Sequence, residues 1–286
     1  MLHWRLILGT VLVVALAGLC WLDHVSVPGA WLFPLAVVIT VLASGEMLGL
    51  VAAGGARPIG GVVHAINLLM VLGAWLPSLW TGGTLLTSIP WTMLALAVGV
   101  LLIFLGEMRR YEKPGQVTRD MAAALFAMAY VGLLMSVLIR LRMDFGVGAL
   151  VALVVVVKMG DIGAYTVGRL VGRHKMAPVL SPGKTWEGAA GAIVVATAGA
   201  WIALTWLVPW FSGIASFPAA WLFFGPMVAV VGILGDLAES LLKRDAGKKD
   251  SSTWFPGFGG VLDILDSILW AGPIVYLYWG ITAATR

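Results

Sequence analysis

Nine long apolar runs, separated by short turns that often carry Gly or Pro, constrain this chain more than anything else in it. They fall near residues 4–22, 30–53, 61–81, 88–106, 120–139, 147–168, 188–209, 219–242 and 264–283, with turns such as Gly54–Gly61 and Thr81–Thr84 between them. A bilayer takes about 20 apolar residues to cross. The chain is 60% hydrophobic, and a soluble protein of 286 residues needs a more polar exterior than that. The expectation is an all-α, polytopic integral membrane protein with about nine transmembrane helices. The first run, Trp4 to Leu22, has no clear small-residue cleavage site and is long for a signal peptide, so it reads as a retained helix. Cys20 is the only cysteine, which excludes an intrachain disulfide and a cysteine-based zinc site. The four histidines, His3, His24, His64 and His174, show no ligand spacing, and no internal repeat stands out.

The basic residues orient the chain. With a cytoplasmic N-terminus, Arg5, Arg57, Arg109, Arg110, Lys113, Arg119, Arg169, Arg173, Lys175, Lys184, Lys243, Arg244, Lys248 and Lys249 all lie on the cytoplasmic side. Arg140, Arg142 and Arg286 lie outside, and Lys158 lies within a span. Every large polar loop then faces the cytoplasm, where nucleotides are, in a bacterial-type inner or plasma membrane.

Only 11% of the residues are charged, and they concentrate in three places. Asp236, Glu239, Ser240 and Lys243 follow the apolar run Met227 to Leu234 at i, i+3, i+4 and i+7, so they share one helical face at the membrane boundary. A carboxylate there needs a metal or a cation, although Lys243 and Arg244 by themselves also fit a helix end that snorkels to water. Gly257, Gly259 and Gly260 let the backbone approach a ligand, and Asp263 and Asp266 follow on one face of the next helix. Such a pair suits one or two Mg²⁺ ions, which bind through one or two carboxylates plus substrate phosphates. Acids also complement a helix N-terminus. The third place is Lys158 to Glu187: Lys158, Asp161 and Tyr165 share a face, and Arg169, Arg173, His174, Lys175 and Lys184 follow. Its Gly183-Lys184-Thr185 is no P-loop, because Pro178 stands where that motif needs Gly and no strand is expected before it. A loop that holds an anionic headgroup or a nucleotide phosphate and a plain positive-inside loop both fit. Glu46 and His64 lie within spans and could pair with each other or with a helix neighbour.

The stretch Ser240-x-x-Lys243-Arg244-x4-Lys249-Asp250, followed by Pro256-x-Phe258-Gly259-Gly260-Val261-x-Asp263-x-x-Asp266, resembles the signature of phosphatidate cytidylyltransferases. The upstream run from Gly160-Asp161 through Ala164-Tyr165, Gly168-Arg169 and Gly172-Arg173-His174-Lys175 to Ser181-Pro182-x-Lys184-Thr185-Trp186-Glu187-Gly188 is similar to the same family. Two positions depart from its pattern: Phe258 stands where the family has His, and Ile264 where it has Arg. The resemblance implies N-terminal transmembrane helices over 1–140 and a C-terminal transmembrane catalytic region over 141–286. It also implies transfer of a cytidylyl group from CTP to phosphatidate, giving CDP-diacylglycerol and pyrophosphate. In that reading Asp236, Ser240, Lys243, Asp263 and Asp266 are catalytic, and Asp236, Asp263 and Asp266 hold one or two Mg²⁺. Asp161, Arg173, Lys184, Lys243, Arg244, Lys249, Asp250, Gly259 and Gly260 bind substrate. CTP, phosphatidate and membrane lipids are the expected partners, a homodimer is allowed, and no nucleic acid is expected. The alternatives are a CTP-dependent lipid-alcohol kinase, a transporter lined by Glu46, Lys158 and Asp161, and an inactive homologue that binds lipid or nucleotide.

Overall fold

The computed structural model describes residues 2–80, 85–212, 219–254 and 259–284. Its elements are α1 (Leu2–Val25), α2 (Leu32–Ala53), α3 (Gly60–Trp75), α4 (Leu85–Arg109), α5 (Val117–Val171), β1 (Lys175–Ala177), β2 (Ser181–Thr185), α6 (Trp186–Ser212), α7 (Trp221–Asp245) and α8 (Val261–Ala284). Among the described residues seven helices are long and apolar enough to cross a membrane. Length and composition therefore count seven spans, and the expected nine differ from them at two places. The runs 120–139 and 147–168 are counted together in α5, where two helices meet at a break, and the described apolar part of α1, Gly9–Val25, falls short of a full span. The break is at Gly146, which has φ 82, a left-handed conformation that only glycine adopts at little cost.

The helical chain also contains a small antiparallel hairpin. β1 pairs with β2 in the register Lys175 to Thr185 and Ala177 to Ser181, with an irregularity between. This corrects the expectation that no strand precedes Gly183, since β1 lies just upstream and Gly183 and Lys184 are themselves in β2. Thr185 ends the hairpin and starts α6, its hydroxyl accepting the Gly188 N–H at 3.1 Å. Glu187 accepts the backbone N–H groups of Arg173 and His174 and pairs with the His174 ring at 2.5 Å. The hairpin is thereby stapled to the helix that follows it.

The chain divides into two compact units, one of residues 1–144 with 242–264, the other of 145–241 with 265–286. The core of the first is apolar side chains such as Met47, Ile66, Met70, Met128 and Leu141. It also holds a fully buried acid, Asp23. The Asp23 carboxylate accepts the N–H groups of Gly29, Trp31 and Leu32 at the start of α2, and pairs with Arg142 of α5 at 2.6 Å. Three orphan amides and one buried cation are satisfied by a single carboxylate, the condition under which a buried charge is tolerated. Arg140 likewise pairs with Asp144 and donates to the Ala74 carbonyl and the Ser78 hydroxyl. The core of the second unit is small and apolar, with Ala152, Val156, Ala196, Ala200, Phe224, Leu269 and Val275 all buried.

Candidate active site

α7 and α8 approach closely in the second unit because Gly235 has no side chain. A Cβ there would sit 2.8 Å from the Asp266 carbonyl and from Trp270 Cβ. The approach puts Asp236 of α7 and Asp266 of α8 within electrostatic range of each other, with Asp161 and Lys158 of α5 also acting on Asp266. Asp266 is buried, its Oδ1 accepting the Ser267 N–H at 2.5 Å, and Ser267 donates in turn to the Gly232 carbonyl. Asp236 remains 40% exposed at its side chain and takes an ion pair from Lys184 at 2.8 Å. Lys184 reaches it from the end of β2 and also lies 3.4 Å from the Ile233 carbonyl. Ser240, one turn on from Asp236, donates to Asp236 Oδ1 at 3.4 Å. Lys158 and Asp161 pair at 3.0 Å, both partly open. Three carboxylates and two ammonium groups thus share one polar site at the ends of apolar helices.

The first unit holds a second polar set. Lys243 pairs with Asp263 Oδ1 at 2.5 Å. Asp263 Oδ2 accepts the Ser251 N–H at 2.8 Å, the Ser251 hydroxyl at 2.7 Å and the Gly260 N–H at 2.7 Å. Glu46 accepts from the Ser252 hydroxyl and from the N–H groups of Val261 and Leu262, and shares the single Ser251 hydroxyl proton with Asp263, all at 2.7 to 2.9 Å. The N-terminus of α8, a natural place for a phosphate, is therefore filled by a carboxylate of the protein itself. Nearby, Lys248 donates to the Gly49 carbonyl at 3.2 Å and Arg244 to the Lys248 carbonyl at 2.9 Å.

Of the residues expected to act together, Asp161, Lys184, Asp236, Ser240 and Asp266 assemble in the second unit, and Lys243 and Asp263 in the first. Gly259 has φ 89, and Gly260 packs against Ser251 and Glu46 rather than standing open to a ligand. Arg173 is exposed and meets Glu187 through its backbone, while Arg244, Lys249 and Asp250 are exposed. Gly257 and Phe258 lie outside the described residues, and Ile264 is half-buried on α8. His64 takes the helix-neighbour alternative, bonding the Gly60 carbonyl one turn back, and Glu46 is held by Ser251, Ser252, Val261 and Leu262. Among the described residues no group of three or more His, Cys, Asp and Glu side chains is arranged to hold a metal ion.

Glu46 is the residue that sequence reading undervalued. Its signal was present, as the lone charge of α2, an expensive placement inside an apolar helix. Its partners lie 205 to 216 residues away, and no local spacing points to them.

Comparison with known proteins covers the whole of this region. The model of the cytidylyltransferase family matches residues 3–282. The phosphatidate cytidylyltransferase of Synechocystis sp. is 28% identical over 300 residues, 93% of this chain and 94% of that protein. Those of Mycobacterium leprae and Brucella suis are each 38% identical, over 156 and 164 residues. The first alignment spans 53% of this chain and 47% of the mycobacterial protein, and the second 57% of each. The chain thus spans about half the length of most of the relatives it matches and nearly all of the cyanobacterial one. With helices able to cross a membrane and a family match that runs almost from end to end, this integral membrane protein belongs to the cytidylyltransferase family.

Proposed function

We propose that the chain transfers the cytidylyl group of CTP to phosphatidate, releasing pyrophosphate and forming CDP-diacylglycerol at the cytoplasmic face of the membrane. The observation that carries this reading is the Asp236 site, where Lys184, Ser240 and Asp266 converge within the family match. An oxygen of the phosphatidate phosphate attacks the α-phosphorus of CTP. The bond from that phosphorus to the bridging oxygen of the β-phosphate breaks, and its electron pair leaves on pyrophosphate. The attacking monoester is already ionised near neutral pH, so no general base is needed. A lipid-alcohol kinase would need one for its hydroxyl acceptor.

Both reactants are anions, and the barrier contains their repulsion. Lys184 and Lys158 are placed to bind phosphate oxygens, and Ser240 can donate to one. Asp236 and Asp266 suit a Mg²⁺ ion that takes one or two carboxylates and fills its other positions with phosphate and water. That ion would neutralise charge between the two reactants. A second cation at Asp263 would first have to displace Lys243 and the three hydrogen bonds on Oδ2, so we assign Asp263 to holding Lys243 and the segment after α7. Arg244 and Lys249, exposed on the same segment, supply further charge for the triphosphate.

The test is pyrophosphate release by purified protein in detergent with phosphatidate, CTP and Mg²⁺, beside Asp236→Asn. Release that needs all three components and falls by about 100-fold or more in the variant is the expected result. No release from folded protein with any nucleotide overturns the reading in favour of an inactive homologue. Phosphorylation of a lipid alcohol overturns it in favour of a kinase.

A further inference from the structure

α2 contains a single charged residue, Glu46, in an otherwise apolar span, and it is buried. Such a placement is costly unless the charge is fully engaged. All four contacts are donor groups: Ser252 Oγ and Val261 N on Oε1, Leu262 N and Ser251 Oγ on Oε2, the Ser251 proton being shared with Asp263 Oδ2. A carboxylate offers about four acceptor sites, and three here are filled outright while the fourth shares a proton with Asp263. The donors come from both described ends of the segment 251–262. A Cβ at Gly260 would overlap both Glu46 oxygens and the Ser251 hydroxyl, so glycine is required there to admit this carboxylate. One turn along α2, the Gly49 carbonyl accepts the ammonium of Lys248, three residues before Ser251.

The consequence runs on to Asp263. The Ser251 N–H and hydroxyl that hold Asp263 Oδ2 belong to the residue whose hydroxyl also meets Glu46. The third donor to that oxygen, Gly260 N–H, immediately precedes the two amides on Glu46. Glu46 therefore holds the frame that sets Asp263, and Asp263 sets the Lys243 ammonium.

We propose that Glu46 is a positioning residue for the transfer reaction, fixing Asp263 and Lys243 from a helix some two hundred residues upstream. The proposal rests on the cytidylyltransferase reading. Glu46 need not touch a substrate; it acts through Ser251, Ser252 and the Val261 and Leu262 amides. Glutamine cannot replace it. Each oxygen serves one hydroxyl and one backbone N–H, so in either amide orientation the NH₂ group faces a backbone N–H and leaves it without an acceptor.

The experiment compares wild type, Glu46→Gln, Glu46→Asp and Ser252→Ala as folded protein in detergent, isolated by gel filtration. Steady-state pyrophosphate release against CTP is measured, together with the rate of tryptic cleavage after Lys248 and Lys249. Glu46→Gln is expected to lower kcat about 100-fold with a much smaller change in KM for CTP, and to speed cleavage. Glu46→Asp recovers part of the loss. Ser252→Ala removes one hydrogen bond to the carboxylate and lowers kcat about tenfold. Wild-type kcat and wild-type tryptic resistance in Glu46→Gln overturn the proposal. If that variant does not fold, the same outcome in Ser252→Ala overturns it. A stability loss with unchanged kcat per folded molecule also overturns it, leaving Glu46 a purely structural group. If the wild type releases no pyrophosphate, the activity reading falls instead, and the tryptic comparison decides the anchoring role alone.

Discussion

Asp23 and Asp263 show how single carboxylates organise this protein. Asp23 is fully buried, serves three amides of the α1–α2 turn and neutralises Arg142. Asp23→Ala should therefore destabilise the protein by about 3–5 kcal/mol, because it leaves both a buried guanidinium and orphan amides. Equilibrium unfolding in mixed micelles checks this, and a variant as stable as wild type would show the pair to be inert. The same scale explains which site residues were legible. Asp236, Ser240 and Lys243, and separately Asp263 and Asp266, are spaced at helical intervals, so their shared faces follow from local geometry. Asp263's binding to Lys243 and Glu46's grip on the α8 N-terminus follow from contacts between distant segments, which no local spacing encodes. Gly260 illustrates the difference: its sequence context suggests room for a ligand, and the structure fills that room with Glu46.

At the scale of elements, helix position and type were readable from apolar runs, and so was the break between residues 139 and 147, while close approaches were not. The two runs on either side of Gly146 are two helices separated by that residue's positive-φ backbone, with Arg140 and Asp144 paired on the last turn before it. The α7–α8 approach depends on Gly235. Gly235→Ala should push the helices apart, disturb the spacing of Asp236 and Asp266, and lower kcat about 10- to 100-fold. Gly280→Ala, on the same α8 and with open space at its Cβ, is the control. It should keep activity and gain up to about 1 kcal/mol from helix propensity. Equal behaviour of the two variants would contradict the close-approach argument.

For the whole molecule, the basic residues carry the topological information. Two of the three cations expected outside, Arg140 and Arg142, are buried within α5 and paired with Asp144 and Asp23. In a Cys20→Ser background, a cysteine at Val27 should react with a membrane-impermeant thiol reagent in intact cells, and one at Lys249 only after permeabilisation. The reverse pattern would invert the orientation.

Hydropathy alone determined that the chain is a helical membrane protein, since only long apolar segments satisfy a lipid solvent. Helical spacing and the signature residues determined which side chains are candidates for the chemistry. Tertiary structure decided how they are shared out. It set Asp236, Asp266 and Lys184 in one cluster, tied Asp263 to Lys243 in another, and brought Glu46 from α2 onto the start of α8. The physical reason is that a charge near a bilayer must find its partner wherever the fold supplies one, and sequence distance does not limit that choice.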